Sequence, residues 1–562
     1  MTLALVKVSC INDRLIPLGL ACLQAYLKHR SQPVNVFNFR ATNYTLPKVI
    51  FDPLIQLDLT NFIMNHQDFP MIVPIANDII KNQEPDFRKG MYVDIIKDYS
   101  TRMFEPLEAT RKRFEGMINF SKDTVFEGLK DYSTIAFSLN YLNISETVIS
   151  SCLLKRFNPE CTIIWGGPSI TQSFEAFKLF LEKGICDGLV IGEGEYPLLE
   201  IAKGVNLEDI KGIMTFDQQQ NYHYSSGIQL DLDLLPTPDY TGLPLDTYYQ
   251  IASTYRSRGC TNRCQFCAEW KLFGPRFRTR SVDKIVEDVE SIVQKFKPRF
   301  ILFGESLIND DLKYFEELCD KLIEKNLDMK FGTHFRANIT PRLAKKAKLA
   351  GFEDAWVGFE AFSDDDLKEM NKGTSVNQNM DTIESLTQAG VNVLAMLVVG
   401  FSDIKTEESN CESIIKTIEH FSKKSYFDNK RIERPLPVQF RPAPMYIVPG
   451  SFDYKSKKDS AMWPWKSKFR TDQNEKELVR LERELIKIPY TFDRPIPDQK
   501  IVELMVQIQD ADRQAGFTIG GVMKYVIDYT MEMKRNSRQM RKAQRIGVSA
   551  QRYETKIKQQ IN

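Results

Sequence analysis

Three cysteines, Cys260, Cys264 and Cys267, follow directly on the apolar stretch 249–256 with the spacing C-x₃-C-x₂-C. Such a triplet requires a tight loop that aims its sulfurs at one centre. Gly259 permits the turn, Arg258 and Arg263 bring positive charge to a group of thiolates, and Phe266 supplies apolar cover. A 4Fe–4S cluster held wholly by protein uses four thiolates. Three leave one iron open, and an open metal position is what chemistry on a bound ligand requires. A structural zinc centre also takes four ligands, and residues 268–317 contain no further Cys or His. The triplet therefore reads as a cluster with one open iron.

Composition narrows the setting. A chain of 562 residues has room for about three or four domains of roughly 150 residues. Its apolar content of 43 % and charged content of 27 % suit a globular protein with sizeable cores. A formal net charge of +1 gives no field that would draw in nucleic acid or an anionic membrane. No apolar run approaches the roughly 20 residues of a membrane span, and residues 1–8 read as a strand rather than a leader peptide. Apart from the triplet the ten cysteines are scattered, which points to a reducing, cytoplasmic compartment.

Short apolar runs alternate with helical periodicity along most of the chain. Strands are expected at 3–8, 34–39, 134–138, 162–165 and 188–191, with helices between them and a mainly helical insertion over about 41–128. The insertion is positioned to contribute to a lid beside a cleft. In open α/β sheets, ligands sit at the carboxyl ends of strands, where Ser138–Asn143, Gly166–Ser169 and the Gly192-Glu193-Gly194-Glu195 turn fall. Residues 201–248 read as a linker with a short hairpin-like piece. A second strand–helix series runs over 249–446 and amounts to six β/α units, a partial barrel whose active face is its strand ends. Residues 447–562 read as mainly helical, with amphipathic helices at 474–488 and 498–515 and a basic tail over 534–558.

Pro17-Leu18-Gly19-Leu20, Trp165-Gly166-Gly167-Pro168 and Ile191-Gly192-Glu193-Gly194-Glu195 precede Leu232–Tyr240 and the cysteine triplet. Over residues 1 to about 450 this resembles the cobalamin-binding radical S-adenosylmethionine (radical SAM) family. The resemblance implies an α/β architecture. A Rossmann-like parallel-sheet cobalamin-binding domain (1–200) is followed by a partial (β/α)₆ TIM-type radical SAM barrel and a helical C-terminal region. It implies a 4Fe–4S cluster on Cys260, Cys264 and Cys267 with one open iron, S-adenosylmethionine, and cobalamin. For S-adenosylmethionine it points to Phe266, Gly304, Glu305, Arg336, Glu360 and Gly400. For cobalamin it points to Pro17, Leu18, Ser138, Asn140, Tyr141, Gly166, Gly167, Pro168, Ser169, Gly192, Glu193 and Gly194. The Asp-x-His-x-x-Gly motif is absent, so cobalt would receive no histidine. Ser402-Asp403 replaces the family's usual proline and glycine after Gly400, which implies an altered loop there. His334, alone on a strand, reads as structural.

The resemblance implies a cobalamin-dependent methyltransferase acting on an unactivated carbon. One S-adenosylmethionine provides the methyl group. A second is cleaved to a 5′-deoxyadenosyl radical that abstracts a substrate hydrogen. It also implies a low-potential electron donor such as flavodoxin or ferredoxin and a small-molecule or peptide substrate. The enzyme alternatives are radical cyclisation or rearrangement without methyl transfer, and methylthiolation. The last usually requires further N-terminal cysteines in a set that Cys10, Cys22, Cys152, Cys161 and Cys186 do not make. A non-catalytic cobalamin or redox sensor is the alternative of a different class.

Overall fold

Two mainly parallel sheets turn the carboxyl ends of their strands toward a common junction. The computed structural model describes residues 3–9, 17–40, 69–88, 93, 96–97, 107–140, 143–447 (save 244 and 275), 451–452, 488–489 and 498–517. The first sheet has the order β2-β1-β3-β4-β5-β6-β7. Its strands are β1 (Leu3–Ser9), β2 (Val34–Arg40), β3 (Thr134–Ser138), β4 (Thr162–Gly166), β5 (Gly188–Val190), β6 (Ile213–Phe216) and β7 (Tyr222–Tyr224). β1 to β5 pair in parallel, and β6 and β7 add an antiparallel edge. Both faces of the sheet are covered, and so β1 reads Leu-Ala-Leu-Val with all four side chains buried.

The hairpin β6–β7 falls at the hairpin-like piece expected within 201–248. It continues the first sheet, with β6 pairing antiparallel to β5 and β7 forming the new edge.

A two-stranded ladder, β9 (Ser257–Arg258) with β10 (Arg278–Thr279), lies between the first and second strands of the second sheet in the chain. The six strands of that sheet run β17-β14-β13-β12-β11-β8, all parallel. They are β8 (Ile251–Thr254), β11 (Phe300–Phe303), β12 (Phe331–Phe335), β13 (Phe352–Glu360), β14 (Asn392–Val399) and β17 (Val438–Pro444). A small surface hairpin, β15 (Ser425–Phe427) with β16 (Glu433–Pro435), precedes the last strand. Helices between the strands start where the sequence offers caps. Ser281, Asp311, Thr340 and Asp403 each accept a backbone N–H from the first turn of the helix that follows. Ser375 and Gln378 form a reciprocal capping box. The six strands leave β8 and β17 unpaired with each other, so the barrel is partial.

One apolar core runs through both sheets, from Leu3, Leu5 and Ile164 to Ile301, Val357 and Leu397. A second core fills the other face of the first sheet, where helices Phe69–Ile80 and Leu107–Phe120 of the insertion pack with helix Ile144–Phe157. No described residue of the insertion lines the cavity at the junction. A lid from those residues is therefore not formed, since their apolar faces are spent on this second core. Helix Asp498–Gln514 packs on the barrel at β17 and helix Ile404–Ser422. Residues 474–487 of the expected helix 474–488, the segment 534–558 and residues 41–68 lie outside the described residues, and Ile488 is not helical but pairs antiparallel with Ile447 in a short strand. Among the described residues no helix is long and apolar enough to cross a membrane.

Candidate active site at the junction of the sheets

A cavity of about 380 Å³ opens where the strand ends meet. Leu18, Ser138, Gly166, Gly167, Pro168, Gly192, Glu193 and Gly194 line it from the first sheet, and Arg258, Gly259, Leu272, Phe273, Gly304 and Glu305 line it from the barrel. The loops on the first side are stitched together by their own polar groups. Asn143 Nδ2 donates to Ser138 O at 2.9 Å, the Asn140 N–H donates to Asn143 Oδ1 at 2.8 Å, and the Gly192 N–H donates to Thr171 Oγ1 at 3.0 Å. Gly167, at φ +101°, could not carry a side chain, because a Cβ would lie 2.6 Å from the carbonyl oxygen of Leu139.

Of the residues expected on this side, three do not line the cavity. Pro17 starts helix Leu18–His29, Asn140 is held by Asn143, and Ser169 is buried below the surface. Tyr141 lies outside the described residues.

The cavity wall is mostly apolar, with stretches of bare backbone. At Gly19 and Gly192 no atom lies within 4 Å of the position of an added Cβ, so both present bare backbone to open space. Leu18, Leu20, Leu23, Val190 and Leu198 supply the apolar surface around them. A corrin ring needs a surface of this kind.

The cysteine loop, residues 259–277, is closed at its neck by the β9–β10 ladder. Several bonds tie it to the barrel, among them one in which Ser306 Oγ donates to Glu269 Oε2 at 2.7 Å. The Gln265 N–H donates to Met370 O at 3.0 Å, Asn371 Nδ2 donates to Arg263 O at 2.8 Å, and Arg336 Nη1 donates to Asn262 Oδ1. Arg336 Nη2 also donates to Lys372 O and Gly373 O, at 2.9 and 2.8 Å. Arg336 thus faces carbonyl oxygens rather than a protein carboxylate. Phe266 packs into a small core with Met370, Phe401 and Met445.

The donor set fits a cluster. Cys267 feels both Cys264 and Cys260, Cys264 feels Cys260, and Asn262 Nδ2 approaches Cys260 Sγ at 3.7 Å. Among the described residues no three His, Cys, Asp or Glu side chains converge on a single ion. A 4Fe–4S cluster puts each thiolate on a different iron, and three cysteines on one loop supply three of its four positions. Burial pushes the Cys267 thiol up to about 12 and raises that of Cys264, which Lys372 and Arg336 oppose. A bound metal reverses this preference by deprotonating the thiol.

Around the loop stand the other expected residues. Glu360 sits at φ +65° beside a register shift in β13, an uncommon conformation for glutamate. Its carboxylate pairs with the largely buried Lys372 Nζ at 2.8 Å. Gly304 ends β11 against Leu18 of the first domain, 3.0 Å from where its Cβ would lie. Glu305 lines the cavity but also points inward, accepting the Arg256 N–H and lying 3.8 Å from Arg256 Nε. Burial pushes its carboxyl up to about 7, while Arg256 and the backbone N–H groups of Arg256 and Ser257 pull it down. Gly400, at φ +93°, packs against Ile501 of the C-terminal helix. Glu407 accepts the Ser402 N–H at 2.8 Å and holds the loop after Gly400. His334 is neutral and structural in its contacts. Its Nδ1–H donates to Glu305 O, its ring meets Trp356 edge-on, and burial lowers its pKa.

Sequence reasoning missed Arg256, Arg278, Asn262 and Lys372, each of which acts through a partner distant in the chain. Two of them had a local signal: Asn262 lies between Cys260 and Cys264, and Lys372 lies in Leu367–Gly373, a stretch that is similar to the family's sequence.

Comparison with known proteins adds a family. Residues 254–409 match the model of the radical SAM superfamily. An uncharacterized methyltransferase of Pyrococcus horikoshii is 26 % identical over 287 residues, which are 49 % of this chain and 61 % of that protein. An anaerobic magnesium-protoporphyrin IX monomethyl ester cyclase of Rubrivivax gelatinosus is 27 % identical over 45 % of this chain and 48 % of its own length. The hopanoid C-3 methylase of Methylococcus capsulatus is 27 % identical over 47 % of this chain and 52 % of its own. The chain thus spans about half to three-fifths of these curated relatives. In fold it is similar to the cobalamin-dependent radical enzyme OxsB, solved with aqua-cobalamin and S-adenosylmethionine. That likeness has a TM-score of 0.59 at 15 % identity and covers 90 % of this chain and 65 % of the other. The methyltransferase TsrM of Kitasatospora setae, solved with cobalamin and a 4Fe–4S cluster, gives a TM-score of 0.53 at 12 % identity. The match covers 82 % of this chain and 75 % of that one.

Proposed function

We propose that this chain, whose residues 254–409 are a radical SAM domain, is a cobalamin-dependent enzyme that methylates an unactivated carbon. The observation that carries the proposal is the single cavity bounded on one side by the glycine-rich strand ends of the first sheet and on the other by the cysteine loop. The relatives named as methylases support the same reaction class.

When bound, the cluster supplies the electron that splits S-adenosylmethionine, and cobalamin carries the methyl group. Cys260, Cys264 and Cys267 hold the cluster. Phe266, Gly304, Glu305, Arg336, Glu360 and Gly400 surround S-adenosylmethionine, with Arg336 and Glu360 kept in place by the backbone and side chain of Lys372. Leu18, Ser138, Gly166, Gly167, Pro168, Gly192 and Gly194 form the corrin surface. The apolar walls exclude water from a reactive radical. A flavodoxin or ferredoxin serves as reductant, a small molecule or peptide is the substrate, and a cytoplasmic setting protects the cluster.

A second reading, ring closure without methyl transfer, is favoured by the likeness to the protoporphyrin ester cyclase. S-adenosylmethionine bearing a deuterated methyl group separates the two. Methyl transfer labels the product and yields one S-adenosylhomocysteine per 5′-deoxyadenosine. An unlabelled product formed with 5′-deoxyadenosine alone refutes the methyltransferase and supports the cyclase.

A further inference from the structure

Arg258 and Arg278 face each other across the neck of the cysteine loop, as register partners in the β9–β10 ladder. Both guanidinium groups reach the same carboxylate on the first domain. Arg258 Nη1 donates to Glu193 Oε2 at 2.7 Å, and Arg278 Nη2 donates to Glu193 Oε1. Arg258 Nη2 turns to Glu195 on the same turn. All of this is buried, with side-chain exposures of 6 % for Glu193, 7 % for Arg258 and 16 % for Arg278.

We propose that Glu193 is a positioning residue: its carboxylate locks the neck of the cysteine loop onto the first sheet and so sets the separation of the two cofactor positions. This rests on the function proposed above. The barrel-side ties of the loop, at Asn262, Arg263 and Gln265, fix its tip. Its neck is fixed by Glu193 and Glu195, which stand in the turn that also lines the cavity. Buried ion pairs add little net stability compared with apolar side chains of the same size, and their best-attested use is to fix one geometry among several. Here one carboxylate holds two cations from opposite sides of a neck. Cys260 follows Arg258 by two residues, so a shift of the neck carries the first thiolate with it.

The test uses Glu193→Gln, which keeps the size and removes the charge. The full chain is reconstituted anaerobically with iron, sulfide and hydroxocobalamin, then reduced to give a paramagnetic cluster beside cob(II)alamin. Electron paramagnetic resonance reads the magnetic coupling between them, alongside iron and cobalamin content. The expected result is full loading of both groups with the single coupling of the wild type replaced by a weaker, broader distribution. Arg278→Gln leaves Arg258 paired with Glu195. It gives a smaller change in the same direction, and it stands in for Glu193→Gln should that variant fail to fold. Unchanged coupling in a soluble variant overturns the proposal. So does loss of cobalamin with unchanged coupling in the loaded fraction, which assigns Glu193 to the corrin instead. A wild-type protein that takes up no cobalamin refutes the proposed function, and the lock is then read on the cluster-loaded protein by hydrogen exchange. Glu193→Gln should raise exchange across 259–277 and not across 370–373, and equal protection across 259–277 overturns it.

Discussion

Arg256→Met tests how the cysteine loop is anchored from below. Arg256 is completely buried where β8 leads into the loop. Its Nη2 donates to Leu307 O at 2.9 Å and to Asp310 Oδ1, its Nε lies 3.8 Å from Glu305 Oε1, and its guanidinium stands 4.7 Å from the Tyr314 ring centre. Methionine keeps the length but leaves two carboxyl groups without their cation. Removing one partner of a buried pair costs about 3–5 kcal/mol. At roughly 2–4 °C per kcal/mol for a unit of this size, the unfolding midpoint should fall by about 6–20 °C at pH 8.

The effect depends on pH in a definite direction. Burial raises the folded Glu305 carboxyl to about 7, above an unfolded value of about 4.3. Its contribution to stability is therefore complete below the unfolded value and is lost as pH rises through the folded one. Without Arg256 the folded value climbs further. At pH 6 the carboxyl then stays protonated and the loss is smaller than at pH 8. Calorimetric melts of the full chain at the two pH values provide the measurement. A shift below about 2 °C at pH 8, or a larger fall at pH 6 than at pH 8, refutes the reasoning.

Two further outcomes follow from the site. Gly167→Ala forces a side chain into a left-handed turn at a cost of about 1–3 kcal/mol, besides a contact 2.6 Å from a backbone oxygen that cannot swing away. Its midpoint should drop and its cobalamin absorbance weaken, and wild-type values for both would contradict the account of the cradle. Changing Cys260, Cys264 and Cys267 together to Ala should abolish bound iron, sulfide and 5′-deoxyadenosine formation, a prediction that cluster absorbance in the triple variant would sink.

The parallel sheets were legible because strands buried on both faces read as unbroken apolar runs, as in Phe300-Ile301-Leu302-Phe303. The cysteine triplet was legible because metal-binding spacing is local. The hairpin β6–β7 was not assigned to the first sheet, since its short, partly exposed strands carry no sign of which edge they join. Arg336 shows a second limit. Only the family resemblance marked it, because its protein partners, Asn262 and the carbonyls of Lys372 and Gly373, are brought near by the fold. Glu305 and Glu193 lie in stretches that the family resemblance marks, yet each is engaged by an arginine whose approach depends on three-dimensional closure.

The apolar core that passes from Leu5 and Leu20 to Ile301 and Val357 has a consequence for descent. Because a Cβ at Gly304 of one half would lie 3.0 Å from Leu18 Cδ2 of the other, so that Leu18 would have to give way by a few tenths of an ångström, a homologous module cut at residue 249 has to be refitted along this seam. The two halves have to be inherited and varied together, so chimaeras that recombine them should survive only when both sides of this seam come from the same parent.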